Sequence, residues 1–308
     1  MTQSKMKPIP KLSLGPVMFN WSPEKWRDFY FRIADEAPVE TVYVGEVVCS
    51  KRQPFFDPVI GEVIERLQSA GKEIVLSTLA LIMSTRESSL IRDLAADSEF
   101  LIEANDISAI SLLRGRDHIV GPFINVYNEG TRDFLIARGA KRLCLPFELP
   151  ATSISAIADS CWGRAELEVQ VFGRLPLAIS ARCYHARSYD LAKDNCQFVC
   201  AEDADGMAVN TLDGTPFLSV NGTQTLSRSC QVLGAELSDL RDMGVGTFRL
   251  SPMDTDMVAI ANGFRSVLDE KEEPAALTRD LQRQLPTVAF SNGFFHGVEG
   301  SVYRQQAE

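Results

Sequence analysis

The chain alternates short apolar runs with longer segments in which apolar residues recur every three or four positions. The short runs predict β-strands and the longer segments predict helices. The first helix is expected to begin after Ser22, with Pro23 at its first position and Trp26 on its apolar face. A second helix precedes Gly71, and further helices are predicted at 88–96, 107–113, 129–138, 151–161, 233–243 and 255–268. Strands are predicted at 11–15, 40–44, 73–77, 99–103, 118–121 with a continuation towards 127, 142–145, 166–172 and 247–250.

Eight strand-helix units are what a closed parallel barrel requires, so we predict an α/β fold of the TIM-like (β/α)8 type. The sequence contains neither GxGxxG after a strand nor GxxxxGK[ST], the nucleotide-binding signatures that would favour an open sheet. One barrel is expected over residues 11–268, with an inserted cysteine-bearing loop and hairpin at about 173–226, after the seventh strand. Residues 269–308 are expected to form a charged linker and a C-terminal segment that packs back on the barrel.

The predicted insertion concentrates the chemistry of the chain. Cys183, Cys196 and Cys200 follow the seventh strand with the spacing C-x12-C-x3-C, after Gly173 and Pro176, which are expected to break the strand. Thiolates close together on a folded loop suit a soft metal or an iron-sulfur cluster. A hairpin is predicted over 209–220, where the Asp-Gly pair at 213–214 is a strong turn signal.

The identity of the metal and of a fourth ligand stays open at this point. Structural zinc is an alternative, since the three thiolates with His185 would suit a tetrahedral site. Cys144 is expected to be a small buried residue, and Cys161 and Cys230 are expected on helices. Three arginines, 174, 182 and 187, either hold an anion or tune a metal group, or are solvated at the surface.

Composition narrows the class of protein. The chain has 308 residues, 45% hydrophobic content and a net charge of -10, which excludes a fully disordered protein and makes nucleic-acid binding unlikely. Seven cysteines without an apolar leader favour free thiols in a reducing compartment. No run of about 18 apolar residues predicts a membrane span. We therefore expect a cytoplasmic protein.

Several motifs together carry a family resemblance: LGPV, YVGEVVCSKR, LSTLAL, LIEAND, NVYN, FGRLPLAISARC with the later C-x3-C, and RLSP. The chain is similar to the collagenase-like peptidase U family, and within it to proteins of anaerobic ubiquinone biosynthesis. The resemblance implies a 4Fe-4S cluster bound by Cys49, Cys183, Cys196 and Cys200. Cys49 also follows a strand end, and the adjacent Lys51 and Arg52 are expected to lower the pKa of its thiol.

The same resemblance implies a function. It points to the iron-sulfur subunit of an O2-independent hydroxylation system that acts as a heterodimer with a homologous UbiU-like subunit. Prephenate is the implied oxygen donor, and a lipid-binding accessory protein would carry the quinone precursor. The alternatives are a noncatalytic partner subunit with a structural cluster, or an RNA-hydroxylation protein of the same family. Proteolysis is not expected, since HExxH and GxSxG are missing and the sequence offers three histidines, 118, 185 and 296, without an evident nucleophile.

Overall fold

A computed structural model describes residues 8–305 of the chain. The N-terminal segment 1–7, in which no apolar leader was expected, and residues 306–308 of the expected C-terminal segment lie outside the described residues. Within 8–305, no helix is both long enough and apolar enough to cross a membrane.

Eight parallel strands close into a barrel, as predicted. The barrel strands are β1 (Lys11–Leu14), β2 (Thr41–Val44), β3 (Glu73–Ser77), β4 (Leu101–Ala104), β5 (His118–Val120), β6 (Ala140–Cys144), β7 (Glu166–Ile179) and β11 (Thr247–Leu250). Each strand pairs with its sequence neighbour from β1 through β7, and β11 closes the ring by pairing with both β7 and β1.

Helices cover the outside of this barrel, apart from one short helix in the insertion. The helices are α1 (Pro23–Glu36), α2 (Gln53–Ser69), α3 (Thr85–Asp97), α4 (Ile107–Leu112), α5 (Glu129–Ile136), α6 (Ala151–Ala158), α7 (Tyr184–Ser188), α8 (Leu237–Met243), α9 (Met257–Leu268) and α10 (Pro274–Gln284). In α1 the Ser22 hydroxyl accepts the N–H of Lys25, Pro23 is the first helical residue and Trp26 is buried. The helix start predicted from the sequence is therefore confirmed.

Two strand predictions were wrong at their carboxyl ends. The fifth strand does not continue to 127, because a short 3-10 helix follows at Pro122–Ile124 and Asn125 adopts a left-handed conformation with φ 60°. The seventh strand does not break at Gly173 and Pro176, since β7 runs on to Ile179 and pairs antiparallel with a later strand, β10 (Gln224–Val232). Gly173 has φ +116°, and a Cβ at this position would lie 2.6 Å from the Cβ of Ser251.

The insertion is a small antiparallel extension of the barrel sheet. It comprises β8 (Met207–Asn210), β9 (Pro216–Asn221) and β10, and β10 lies between β9 and the end of β7. The predicted hairpin is present, because β8 and β9 pair across the turn that contains Gly214. Pro176 falls at an irregularity of the β7–β10 register, where its missing N–H breaks no regular ladder.

The segment after α9 is ordered structure. Leu277 and Leu281 of α10 are buried, and α10 packs on α9, so the charged stretch before it leads into a helix with an apolar face. The short strand β12 (Phe290–Ser291) then pairs with β10, and Phe295 is buried nearby.

The interior of the barrel carries buried charge. Arg249 on β11 lies 2.6 Å from Glu103 on β4 and 3.1 Å from Glu168 on β7. The hydroxyls of Tyr43 and Ser13 also donate to Glu168. This ionic cluster, made of Arg249, Glu103 and Glu168, was not foreseen from the sequence, although polar residues at alternate strand positions were its signal.

Burial has the largest single effect on the pKa of the Glu168 carboxyl, and it acts to raise this pKa. Arg249 and Arg142 outweigh burial, so the pKa of Glu168 lies below its ordinary value. The carboxylate is therefore ionised and paired inside the barrel.

Candidate metal centre

Four cysteines from two distant segments line one cavity at the carboxyl end of the barrel. Cys49 lies in the loop between β2 and α2, and Cys183 precedes the first residue of α7. Cys196 and Cys200 lie at two 3-10 turns, Lys193–Asn195 and Val199–Ala201. The residues that line this cavity, here called the cysteine cavity, are Cys49, Lys51, Arg52, Cys183, Lys193, Cys196, Phe198, Val199, Cys200 and Gly222.

The cysteine cavity is small. Its volume of about 20 Å³ has room for about one water molecule. Within residues 8–305, no group of three or more His, Cys, Asp or Glu side chains is placed to hold a single metal ion. The thiols thus surround a common space without a closed single-ion site, and a larger group would require the surrounding loops to move apart.

The donor set decides which group suits these residues. Four cysteine thiols with no carboxylate in the cavity lining are the ligands of iron-sulfur clusters, and a cubane spreads its irons over separate corners. The chemistry of the donors therefore fits a 4Fe-4S cluster held by Cys49, Cys183, Cys196 and Cys200.

The thiols of the cavity influence one another. Burial raises the pKa of Cys183, and the nearby thiols of Cys200 and Cys196 raise it further, because negative sulfurs repel one another. Two N–H groups face the sulfurs: the amide of Asn20 lies 3.3 Å from Sγ of Cys200, and the backbone N–H of Ala186 lies 3.4 Å from Sγ of Cys183. A bound cationic metal would relieve the repulsion between the thiolates.

The Cys49 loop is held by a buried carboxylate. Oε1 of Glu46 accepts the backbone N–H groups of Val48 and Cys49, at 2.7 and 2.9 Å. The prediction of a lowered pKa for the Cys49 thiol was wrong, although Arg52 acts in the expected direction. Burial raises this pKa, and the opposing effect of Arg52 is too small to reverse the shift.

Arg52 forms one wall of the cysteine cavity and is only 1% exposed. Its Nη1 donates to the Met18 carbonyl at 3.0 Å, and its Nη2 donates to Oδ1 of Asn221 at 2.6 Å. Its Nε is buried without a hydrogen-bond partner, and no carboxylate among residues 8–305 forms an ion pair with it. Arg52 is thus a buried cation whose hydrogen bonds go to neutral groups.

The turn between β9 and β10 fastens the wall. Asn221 donates its amide to the carbonyl of Cys200 at 2.9 Å, and Thr223 donates its hydroxyl to the carbonyl of Val48 at 2.9 Å. Between them, Gly222 has φ +68°, and a Cβ there would lie 2.3 Å from Nη2 of Arg52. This turn therefore joins the Cys49 loop to the segment that carries Cys200.

One family profile matches most of the chain. The profile of peptidase family U32 covers residues 21–304. The chain belongs to peptidase family U32. The predicted family resemblance is therefore confirmed at this level.

Similar solved structures share low identity with this U32 chain. A U32 peptidase structure is 10% identical, with a TM-score of 0.32, and the match covers 82% of this chain and 96% of that one. A putative fructose-1,6-bisphosphate aldolase from Coccidioides immitis is 10% identical, with a TM-score of 0.43, covering 91% and 90%. The tryptophan synthase complex from Pyrococcus furiosus is 10% identical, with a TM-score of 0.41, covering 91% and 99%.

The other cysteines of this U32 chain lie away from the cavity. Cys144 is fully buried on β6, as expected. Cys161 was expected on a helix, but α6 ends at Ala158, and Cys161 lies in the turn between α6 and β7, where its backbone N–H bonds to the Ala158 carbonyl. Cys230 is on strand β10 and not on a helix, because pairing with β7 and β12 draws this segment into the sheet.

The histidines also take part in other contacts. Nε2 of His185 lies 3.1 Å from the Asp203 carboxylate, and its Nδ1 faces the Val220 carbonyl, so it does not line the cysteine cavity. His296 pairs with Glu236 at 2.9 Å, and Nδ1 of His118 faces a backbone carbonyl. Within residues 8–305, none of the three imidazoles is hydrogen-bonded to a serine hydroxyl or a cysteine thiol.

Of the three arginines weighed from the sequence, Arg174 has a clear structural role. It is 4% exposed and pairs with Asp205 at 2.7 Å. Arg182 and Arg187 lie on the exposed side of the insertion, in a surface groove next to Cys183. The buried cation beside the thiols is therefore Arg52, which sequence reasoning assigned only to the acidity of Cys49.

Proposed function

We propose that this U32 chain is the UbiV-like, iron-sulfur subunit of an O2-independent hydroxylation system in ubiquinone biosynthesis. The observation that carries the proposal is the set of four cysteines, from two segments far apart in sequence, that line one cavity beside a buried cation. Cys49, Cys183, Cys196 and Cys200 would hold the 4Fe-4S cluster. The cluster would supply one-electron chemistry near the mouth of the barrel.

The sequence motifs support the finer assignment. They resemble anaerobic ubiquinone-biosynthesis proteins, which act with a homologous UbiU-like subunit and are thought to use prephenate as the oxygen donor. A heterodimer with such a subunit, fed by a lipid-binding protein that carries the quinone precursor, is the assembly that we propose. Family U32 is named for peptidases, but the histidine contacts described above support no hydrolytic role.

A second candidate is a noncatalytic partner subunit whose cluster stabilises the fold. The structure favours this candidate because the cysteine cavity lies where the Cys49 loop, the insertion and the β9–β10 turn are joined to one another. An RNA-hydroxylation protein of the same family is disfavoured by the net charge of -10.

The test compares Cys49→Ala with Cys144→Ala under anaerobic purification. Wild-type protein should contain about four iron and four sulfide per chain, as a cubane with four thiolate ligands requires. Cys49→Ala should lose most of this iron, because it removes a ligand, and Cys144→Ala should retain it, because Cys144 lies inside the barrel. Stoichiometric zinc with negligible iron in the wild type would overturn the cluster assignment.

The same variants decide the role in the cell. In a strain that lacks this chain, wild type and Cys144→Ala should restore ubiquinone synthesis without oxygen, and Cys49→Ala should fail. If the purified wild-type protein contains iron but the deletion strain makes as much ubiquinone without oxygen as its parent, the role in ubiquinone synthesis is rejected and the cluster assignment stands. Lost iron in Cys49→Ala with full quinone restoration would favour the structural role.

A further inference from the structure

Arg52 is a buried cation that has no carboxylate at ion-pair distance among residues 8–305. It is 1% exposed, it donates to a backbone carbonyl and to an amide oxygen, both neutral, and its side chain also interacts with the Cys200 thiol. Burying an unpaired guanidinium is unfavourable, because its hydration is lost and no opposite charge replaces it. The Nε–H, which is buried and has no hydrogen-bond partner, shows the same shortfall.

The other deeply buried arginines in the described part of the chain solve this problem differently. Each has a carboxylate at ion-pair distance: Arg249 pairs with Glu103 and Glu168, Arg174 with Asp205, Arg142 with Glu73 and Glu166, and Arg132 with Asp133. Burial acts to lower the pKa of Arg52, but the negative charge of Glu46 opposes burial from beyond ion-pair distance, and the pKa lies above its ordinary value. Cys200 and Cys49, when ionised, oppose it in the same direction. The four thiols that line the cavity with Arg52 are thus the groups that would become its anionic partners on binding a metal group.

The surroundings keep Arg52 in this position. Gln224 donates to the same Met18 carbonyl at 2.6 Å, so the acceptor is held from both sides. Gly222 leaves space for the guanidinium, where a Cβ would lie 2.3 Å from Nη2. The lysines at the cavity differ, because Lys51 reaches the carbonyl of Lys193 and the exposed Asp194.

We propose that Arg52 is the internal counter-ion of the thiolate-bound cluster and a positioning residue that raises its reduction potential. This rests on the proposed function, since it requires a cluster at the four cysteines. A cubane with four thiolate ligands carries net negative charge, and a fixed cation beside it favours the more negative, reduced form. When the cluster is removed, the guanidinium of Arg52 loses this negative partner and stays buried.

The test uses Arg52→Met, which removes the charge and keeps most of the side-chain length, and Arg52→Lys, which keeps a charge. The midpoint potential of the anaerobically purified proteins is measured by a redox titration followed with electron paramagnetic resonance. At fixed solution potential, Arg52→Met should shift the ratio of reduced to oxidised cluster about tenfold towards the oxidised form, a lowering of about 59 mV for a one-electron couple. Arg52→Lys should lie closer to wild type.

Arg174→Met is the matched control, because it removes a buried arginine that has its own carboxylate. With iron and sulfide removed, Arg174→Met should unfold at a lower urea concentration than wild type, since it removes the arginine partner of the half-buried Asp205. Arg52→Met without its cluster should unfold at the same or a higher concentration than wild type. This difference in sign separates a counter-ion from a residue that merely fills space.

The outcomes are distinguishable from those of the proposed function. A wild type that binds no iron and sulfide rejects the function, and with it the counter-ion. A wild type with full iron whose potential is unchanged in Arg52→Met rejects the counter-ion alone. If Arg52→Met does not fold, Arg52→Gln takes its place. The proposal is supported if Arg52→Lys has the midpoint potential of wild type and Arg52→Gln shows the tenfold shift in the ratio of reduced to oxidised cluster. An Arg52→Gln variant with the potential of wild type overturns it.

Discussion

Arg249 in the barrel interior and Arg52 in the cysteine cavity are both buried guanidinium groups, 4% and 1% exposed. Arg249 has two carboxylates within 3.1 Å, whereas Arg52 donates to a carbonyl and an amide oxygen and has no carboxylate at ion-pair distance among residues 8–305. The first arrangement is complete within the chain, because its charges compensate each other. The second lacks a carboxylate at ion-pair distance, which is why we propose a binding site there and assign the first to the scaffold.

The largest effect is expected from removing one partner of the ionic cluster. Glu168→Gln leaves Arg249 buried with one carboxylate fewer, and breaking a buried pair in this way costs about 3–5 kcal/mol. The free energy of unfolding, measured in urea, should fall by this amount with and without iron and sulfide. A loss found only in the iron-loaded protein would contradict the separation of the two regions.

A smaller effect is expected at the turn that makes room for Arg52. Gly222→Ala places a Cβ against the guanidinium and also strains a left-handed residue, at a cost of about 1–3 kcal/mol. Gly214→Ala is the control, since Gly214 also has a positive φ, +85°, but nothing lies within 4 Å of its added Cβ. Both variants should lose stability, and only Gly222→Ala should lose iron. Equal iron in the two variants would mean that the position of Arg52 is not critical.

The smallest effect concerns pH. Burial opposes ionisation of Glu168, but Arg249 and Arg142 hold its pKa below the ordinary value in the folded protein. The carboxylate therefore contributes stability that is present above the unfolded pKa of about 4.3 and is lost as the pH falls through the lower folded pKa. Urea unfolding at a series of pH values should show wild type and Glu168→Gln converging below about pH 4, and a constant difference down to about pH 2 would contradict this.

Periodic patterns revealed most of the barrel, because each strand and helix has one apolar face towards the other layer. The extension of β7 could not be read in the same way. Gly173 and Pro176 are strand breakers locally, and only the distant β10 supplies the partner that accommodates them. The strand β10 itself is obscured by buried polar residues such as Gln224 and Gln231, whose amides bond to backbone carbonyls.

The four cysteines were found through spacing and family motifs, and the structure brings them to one cavity. The charge partners of the buried arginines were not predicted, because the sequence around an arginine does not show whether carboxylates lie beside it in the fold. Arg249 stood within a motif without a role, and Arg52 was noted only as a neighbour of Cys49. Side-chain pairing between residues far apart in sequence requires three-dimensional contacts.

The turn between β9 and β10 also determines when, during synthesis of the chain, the cysteine cavity can form. Arg52 and its partner Asn221 are 169 residues apart in sequence, a stretch that takes roughly 10 to 30 s to synthesise on a ribosome. During that interval the segment that carries Cys49 is already made, whereas Cys200 and the turn that holds Arg52 are still missing. We therefore expect that iron delivery follows translation of this turn, so that a truncated chain ending before residue 221 would expose reactive thiols.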